Sequence, residues 1–224
     1  MIRCVTFDFD GTLVDSNDIK RQTFFTIVQE WDPAGEIVSE VFERWPSADR
    51  YEKTFRIAEE LSGRNLLPTH FSVKEWAARL ANEYTNRCEA AIACCTEMPG
   101  ATQALDDLSG KGLRLFINSA TPHQPLRRLL VLRGWDHYFQ AIYGAEASKA
   151  DNLRQIASQA GVKPQEMIHV GDQYDDLRGA EQFGCHFVAM AADNSGPVRD
   201  VSPLVVRDLR DLAGLLTSID REAL

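Results

Sequence analysis

The sequence predicts an α/β fold in which a doubly wound parallel sheet forms the core and an all-helical segment is inserted into it. After Pro99-Gly100, short apolar segments alternate with helical ones, and such repeats build a parallel sheet covered on both faces. Between residues 15 and 95, apolar residues recur instead at helical spacing. A further apolar strand is predicted near the N-terminus, before the insertion in the sequence, and belongs to the same core.

The predicted strands are short, apolar and bounded by turn residues. They cover residues 2–7, 113–117, 141–143, 167–170 and 185–189. In the insertion, helical periodicity is clearest around residues 24–28, 57–61 and 76–84. We therefore expect a Rossmann-like core domain made of residues 1–14 and 96–224, with a helical domain made of residues 15–95.

Composition limits the classes of partner. The net charge of −9 argues against a nucleic-acid backbone as the main partner. The sequence contains no run of about 18 apolar residues, so no membrane span is predicted. The N-terminus lacks the pattern of a signal peptide. Five cysteines without a CxxC spacing suggest reduced thiols, so we expect a cytoplasmic protein. A monomer and a homodimer both remain open.

Polar residues cluster where the predicted strands end. They lie at residues 8–12, at residues 118–121, at Lys149 and at residues 171–176. In parallel sheets, ligands bind beyond the carboxyl ends of the strands. Because these segments follow different strands, we expect them to converge on one edge and to form a site there.

The chemistry of that edge follows from its charge. If Asp8, Asp10 and Asp172 meet, each pair repels by about 4 kcal/mol at about 4 Å and an effective dielectric near 20. A cation among them would relieve this repulsion, and a few carboxylates with room for water suit Mg²⁺. The metal would also attract an anionic substrate to an acidic protein. Gly11 allows a tight bend that leaves backbone N–H groups open to a phosphate oxygen.

The segment Asp8-Phe9-Asp10-Gly11-Thr12-Leu13-Val14-Asp15-Ser16 resembles the first motif, DxDGT(L/V), of the haloacid dehalogenase (HAD) superfamily. Ser119 resembles its second motif, Lys149 its third, and Gly171-Asp172 with Asp176 its fourth. The helical insertion lies where relatives of the phosphoglycolate phosphatase and β-phosphoglucomutase type carry a helical cap. Gln173 departs from the pattern, because many relatives have Ser there.

The resemblance implies a Mg²⁺-dependent phosphatase that acts on a small phosphorylated metabolite. Asp8 would be the nucleophile that forms an aspartyl-phosphate, and Asp10 the general acid and base. Asp8, Asp172 and the main-chain carbonyl of Asp10 would bind the metal. Asp176 would support these ligands or the lysine. The residues implied to bind the phosphate are Gly11, Ser119, Ala120 and Lys149.

Alternatives remain for the function and for single residues. A sugar phosphomutase would carry the same motifs, whereas Asp10 disfavours a dehalogenase or a phosphonate hydrolase, and a non-catalytic module would not need intact motifs. Asp175 could replace Asp176, Ser119 could be a helix cap, and Lys149 a solvated surface residue. His169 is expected in the core, and His123 outside the site. Residues 44–51, with two arginines, are a hypothetical substrate contact.

Overall fold

In a computed structural model, the chain forms two compact units. The structure describes residues 1–46, 48–192 and 196–222. The first unit comprises Met1–Ser16 and Cys95–Leu224, and the second Asn17–Cys94. For comparison, the helical insertion expected from the sequence spans residues 15–95.

The first unit is built on a parallel sheet that, within the described residues, has six strands in the order β3-β2-β1-β4-β5-β6. The strands are β1 (Cys4–Phe7), β2 (Arg114–Asn118), β3 (Phe139–Tyr143), β4 (Met167–Gly171), β5 (His186–Met190) and β6 (Val205–Val206). The predicted α/β class with a parallel sheet is therefore confirmed, and each predicted strand is present. The two-residue β6 was not predicted, because so short a segment has no readable alternation.

Helices lie between and after the strands of this unit. They are α5 (Ala101–Gly110), α6 (His123–Leu132), α7 (Lys149–Ala160), α8 (Tyr174–Phe183) and α9 (Leu212–Glu222). One side of the sheet packs on α7 through a buried cluster that includes Phe116, Leu153, Ile156 and Met167. Fully burying such a side chain contributes about 1.5–3 kcal/mol. This packing holds α7 against β2 and β4.

The described part of the second unit consists of helices and their connections. These are α1 (Asn17–Val28), α2 (Glu36–Arg44), α3 (Arg50–Gly63) and α4 (Val73–Ala93). Local capping explains two of the starts: Asp49 accepts from the Glu52 N–H at 2.8 Å, and Ser72 forms a capping box with Glu75.

Helix α2 was not among the helical stretches predicted from the sequence. Its first turn is secured by the buried carboxylate of Asp32, which accepts from the backbone N–H groups of Glu36 at 3.0 Å and Val38 at 3.1 Å. Because this cap lies four residues ahead of the helix, no Ser, Thr or Asp marks the start of α2 itself. Among the described residues, no helix has the length and apolarity needed to cross a bilayer.

Candidate active site

The segments predicted to carry the site meet at the carboxyl edge of the sheet. Strand β1 lies between β2 and β4. Asp8, the residue that follows β1, donates its N–H to the Val170 carbonyl at 2.8 Å. On the other side, the Ser119 N–H donates to Tyr143 O at 2.9 Å. The side chains of Asp8, Asp10, Ser119 and Asp172 are buried there.

Lys149, the first residue of α7, connects these segments. Its ammonium Nζ lies 2.7 Å from Asp8 Oδ1, 2.6 Å from Asp176 Oδ1 and 2.6 Å from the Asn118 carbonyl. An ammonium has three N–H donors, so each has an acceptor. The lysine side chain is 8% exposed, and the alternative of a solvated surface lysine is wrong.

Three buried carboxylates lie close together in this site, and two of them, Asp8 and Asp176, contact the ammonium. One oxygen from each of Asp8, Asp172 and Asp176 lies within 4.8 Å of the others. Burial opposes ionisation of Asp176, yet Lys149 and His169 hold its pKa below the usual range. Burial also disfavours the charged lysine, but Asp176 and Asp8 raise the pKa of Lys149. The lysine is therefore a permanent cation in this site.

Lys149 alone does not offset the burial of Asp8 and the negative charges around it. Burial raises the pKa of Asp8 well above the usual range; Lys149 lowers that pKa, whereas Asp176, Asp172 and Asp10 raise it further. A carboxylate in this state is stabilised as an anion only if a further cation approaches. The all-oxygen donor set therefore fits a divalent ion such as Mg²⁺.

Two neighbours orient the carboxylate of Asp172. Thr12 Oγ1 donates to its Oδ1 at 3.3 Å, and the Gln173 side-chain amide donates to its Oδ2. Residue 173 is the position where the sequence departs from the family pattern. Here the glutamine supplies a hydrogen bond to a candidate metal ligand, a role that a shorter Ser would have to meet differently.

The carboxylate of Asp10 is held by two hydroxyl groups. Ser16 Oγ donates to its Oδ1 at 2.6 Å, and Thr121 Oγ1 donates to its Oδ2 at 2.7 Å. The two donors come from the segment after β1 and the segment after β2, and both are buried. These two hydroxyl groups fix the direction of the Asp10 carboxylate.

The residues predicted to bind phosphate occupy different environments. Gly11 has φ 78°, which suits the expected bend, but its own N–H donates to Val14 O at 2.8 Å. That N–H is therefore engaged, contrary to the expectation that it is open. Ser119 Oγ accepts from the Thr121 N–H at 3.1 Å, and Pro122, not Ser119, is the N-cap of α6. Ala120 is exposed.

The fourth motif contains two candidate acids, and only one of them faces the site. Asp176 is fully buried, with Lys149 and His169 on Oδ1 and the Gln173 N–H on Oδ2 at 3.1 Å. Asp175 is exposed. Because Lys149 and His169 both lie on its Oδ1, Asp176 is better suited to hold the lysine than to bind a metal.

Sequence reasoning missed several residues that complete the site. Asn118 is the clearest case: its Nδ2 donates to the Lys149 carbonyl at 3.1 Å, and its Oδ1 accepts from Asn152 Nδ2 at 3.0 Å. These bonds join the end of β2 to the first turn of α7. Asn118 and Thr121 both lie in the polar run at a strand end, but their partners depend on the tertiary fold.

Other positions singled out from the sequence have partners of their own. His123 donates its backbone N–H to Glu146 at 2.9 Å, and its ring Nδ1 is 3.1 Å from Ile142 O. In the second unit, the Arg44 guanidinium pairs with Glu60 at 2.9 Å and stacks over Trp45. Ser47 lies outside the described residues. The contact of residues 44–51 with a substrate stays a prediction.

A parallel α/β sheet with charged residues at its carboxyl edge is typical of α/β enzymes, which bind their ligands at that edge. The chain belongs to the haloacid dehalogenase-like hydrolase family, whose pattern it matches over residues 2–184. The resemblance inferred from the motifs and the expectation of a hydrolase are therefore confirmed.

Individual proteins that the chain resembles differ in the activities that their names state. Over 220 residues the chain is 26% identical to a phosphoglycolate phosphatase from Aliivibrio fischeri, covering 92% of each chain. It is 24% identical to a 5′-nucleotidase from Pseudomonas aeruginosa, over 80% of this chain and 78% of that protein. In fold it is similar to a β-phosphoglucomutase from Clostridium difficile, with a TM-score of 0.72 at 20% identity, over 100% of this chain and 99% of the other.

Proposed function

We propose that the protein is a Mg²⁺-dependent phosphatase that hydrolyses a small phosphomonoester through an aspartyl-phosphate on Asp8. Phosphoglycolate, a sugar phosphate or a nucleotide is the expected type of substrate, in keeping with the names of the relatives. The observation that carries the proposal is the contact of Lys149 Nζ with Asp8 Oδ1 at 2.7 Å, because it places a fixed cation beside the nucleophile.

Asp8 is suited to attack at phosphorus because Lys149 holds one of its carboxylate oxygens at 2.7 Å and so fixes the direction of the carboxylate. Attack forms an O–P bond and breaks the bond from phosphorus to the alcohol oxygen. In this scheme the charge of Lys149 attracts the phosphoryl oxygens while its three N–H groups keep the acceptors described above, and the Ser119 hydroxyl donates to one of those oxygens. Both groups act as preorganised positive dipoles or charges.

Asp10 supplies the proton transfers. Protonated, it donates to the leaving alcohol; ionised, it then takes a proton from the water that attacks the aspartyl-phosphate. Ser16 and Thr121 keep its carboxylate directed at this position in both steps. Asp8, Asp172 and the Asp10 carbonyl would hold Mg²⁺, which neutralises charge on the phosphoryl group.

A screen of small phosphate esters, with Mg²⁺ or with EDTA, tests the proposal. We expect release of inorganic phosphate that depends on Mg²⁺ and that Asp8→Asn abolishes without unfolding the protein, because the amide has a similar shape but is a poor nucleophile. Activity of Asp8→Asn within tenfold of wild type would contradict the proposed nucleophile. Interconversion of sugar phosphates with little free phosphate would identify the mutase alternative.

A further inference from the structure

A buried histidine below the site has no role in the chemistry described so far. His169 lies in the middle of β4 and is fully buried, in a strand whose other residues are apolar apart from the terminal glycine. The sheet register pairs His169 with Thr6 of β1 on one side and with Phe187 of β5 on the other. An imidazole in such a place needs partners for both ring nitrogens.

Both nitrogens have partners in the structure. Nδ1 lies 2.8 Å from Thr6 Oγ1, which anchors the ring to the neighbouring strand. Nε2 lies 3.1 Å from Asp176 Oδ1. An ionised carboxylate can only accept hydrogen bonds, so Nε2 carries a proton and donates it to this oxygen.

The oxygen that His169 contacts is the one that binds the lysine. Asp176 Oδ1 is 2.6 Å from Lys149 Nζ, and Nζ is in turn 2.7 Å from Asp8 Oδ1. A side chain that fixes Asp176 Oδ1 therefore also fixes where the ammonium meets the nucleophile. The Asp176 side chain also packs closely against Gly171, since the Cβ of an alanine there would collide with it. The carboxylate is therefore confined from that side as well.

We propose that His169 is a positioning residue: by donating from Nε2 to Asp176, it holds the carboxylate that places Lys149 against Asp8 and the phosphoryl group. The assignment deepens the proposed phosphatase function and rests on it for turnover. Residues in this kind of supporting role typically change activity by about 10–100-fold when they are removed.

Two variants with amide side chains distinguish a positioning role of His169 from a role in core packing alone. His169→Gln puts an amide N–H near the place of Nε2, whereas His169→Asn puts its amide near Nδ1 and leaves Asp176 without this donor. We expect kcat/KM to fall by about 10–100-fold in His169→Asn and by only about threefold in His169→Gln, at comparable unfolding midpoints. Equal losses in the two variants, or full activity in His169→Asn, would overturn the proposal.

Measurements without turnover keep the proposal separate from the phosphatase function. Inorganic phosphate with Mg²⁺, titrated by thermal shift, should bind more weakly to His169→Asn than to His169→Gln. In wild type, ¹⁵N NMR of the histidine rings should show Nε2 of His169 protonated; an unprotonated Nε2 would overturn the assignment. If wild type cleaves no ester, the phosphatase proposal fails, and these two readouts still decide the role of His169.

If His169→Asn does not fold, Thr6→Val provides the second test. Valine keeps the shape and suits a strand, but it removes the hydroxyl that anchors Nδ1. We expect a smaller loss of kcat/KM, about two- to fivefold, and a parallel loss of phosphate affinity. Unchanged values of both quantities would count against a role for the ring in placing the lysine.

Discussion

The close approach of α7 and α8 predicts that Gly179→Ala damages activity more than stability. Gly179 lies within α8, and the Cβ of an alanine there would be 2.6 Å from Lys149 Cβ and 3.4 Å from the Ala150 nitrogen. Carbon atoms prefer a separation of about 3.5–4.0 Å. Because Lys149 Cβ is next to the backbone, the helices must separate by roughly 1 Å to admit the methyl group.

Two opposing effects set the change in stability. Overpacking of this kind costs about 1–3 kcal/mol, whereas replacing glycine by alanine inside a helix contributes about 1 kcal/mol. The free energy of unfolding should therefore fall by about 0–2 kcal/mol. A displacement of about 1 Å at a catalytic group can cost about 100-fold in rate, so kcat/KM should fall by a factor of that order.

Gly110→Ala provides the matched control, because Gly110 is also helical and its added Cβ would meet nothing within 4 Å. This variant should be more stable than wild type by up to about 1 kcal/mol and equally active. Urea unfolding and steady-state hydrolysis of the best ester give both quantities. If Gly179→Ala gains stability as Gly110→Ala does and keeps wild-type kcat/KM, the reasoning about the α7–α8 contact is wrong.

Three further predictions concern the proposed acid–base group Asp10, the proposed metal and the thiols. Thr121→Val should lower kcat about tenfold and stability by about 1–3 kcal/mol, because a buried carboxylate oxygen loses its donor, whereas Thr121→Ser should restore both. The Tm measured with Mg²⁺ should exceed the Tm measured with EDTA by a margin that widens as pH rises above the ordinary carboxyl value of 3.8. Burial raises the pKa of Asp8 in the folded, metal-free protein, so that protein loses stability as pH rises from 3.8 towards the raised pKa. At pH 8 a thiol reagent should modify exposed Cys94 well before Cys4 and Cys185, since burial raises the pKa of both to about 12.

Each of these predictions has an outcome that contradicts it. Equal kinetics of the Val and Ser variants would show that the Thr121 hydroxyl does not orient the acid–base carboxylate. A Tm difference that is constant with pH would mean that Asp8 does not take up a proton when Mg²⁺ is removed. Modification of Cys4 as fast as Cys94 would show that β1 opens readily in solution.

Much of the fold was readable from the sequence because its signals are local. Apolar runs identify the strands, and the strand-end polar runs identify the edge where ligands bind. In contrast, β6 is too short to carry a pattern, and α2 is capped by Asp32 from outside the helix. Neither element therefore carries a clear signal within its own residues.

The candidate site divides in the same way. The motif residues can be found because each follows a predicted strand or starts a helix, as Asp8 and Lys149 do. The hydroxyl of Thr121 and the ring of His169 act through partners that are distant in sequence or that belong to a neighbouring strand. Their type alone, a threonine before a proline and a histidine in an apolar strand, is equally compatible with simple packing.

The position of β1 has a consequence for how the protein reaches its native state. This strand carries Asp8 at its end, and it hydrogen-bonds to β2 and β4, both of which follow the helical unit in the chain. During synthesis, β1 therefore waits with both edges unpaired until more than half of the chain has emerged, a slow and aggregation-prone kind of topology. Asp8 can therefore meet Lys149, Asp172 and Asp176 only after those later segments of the chain have been synthesised.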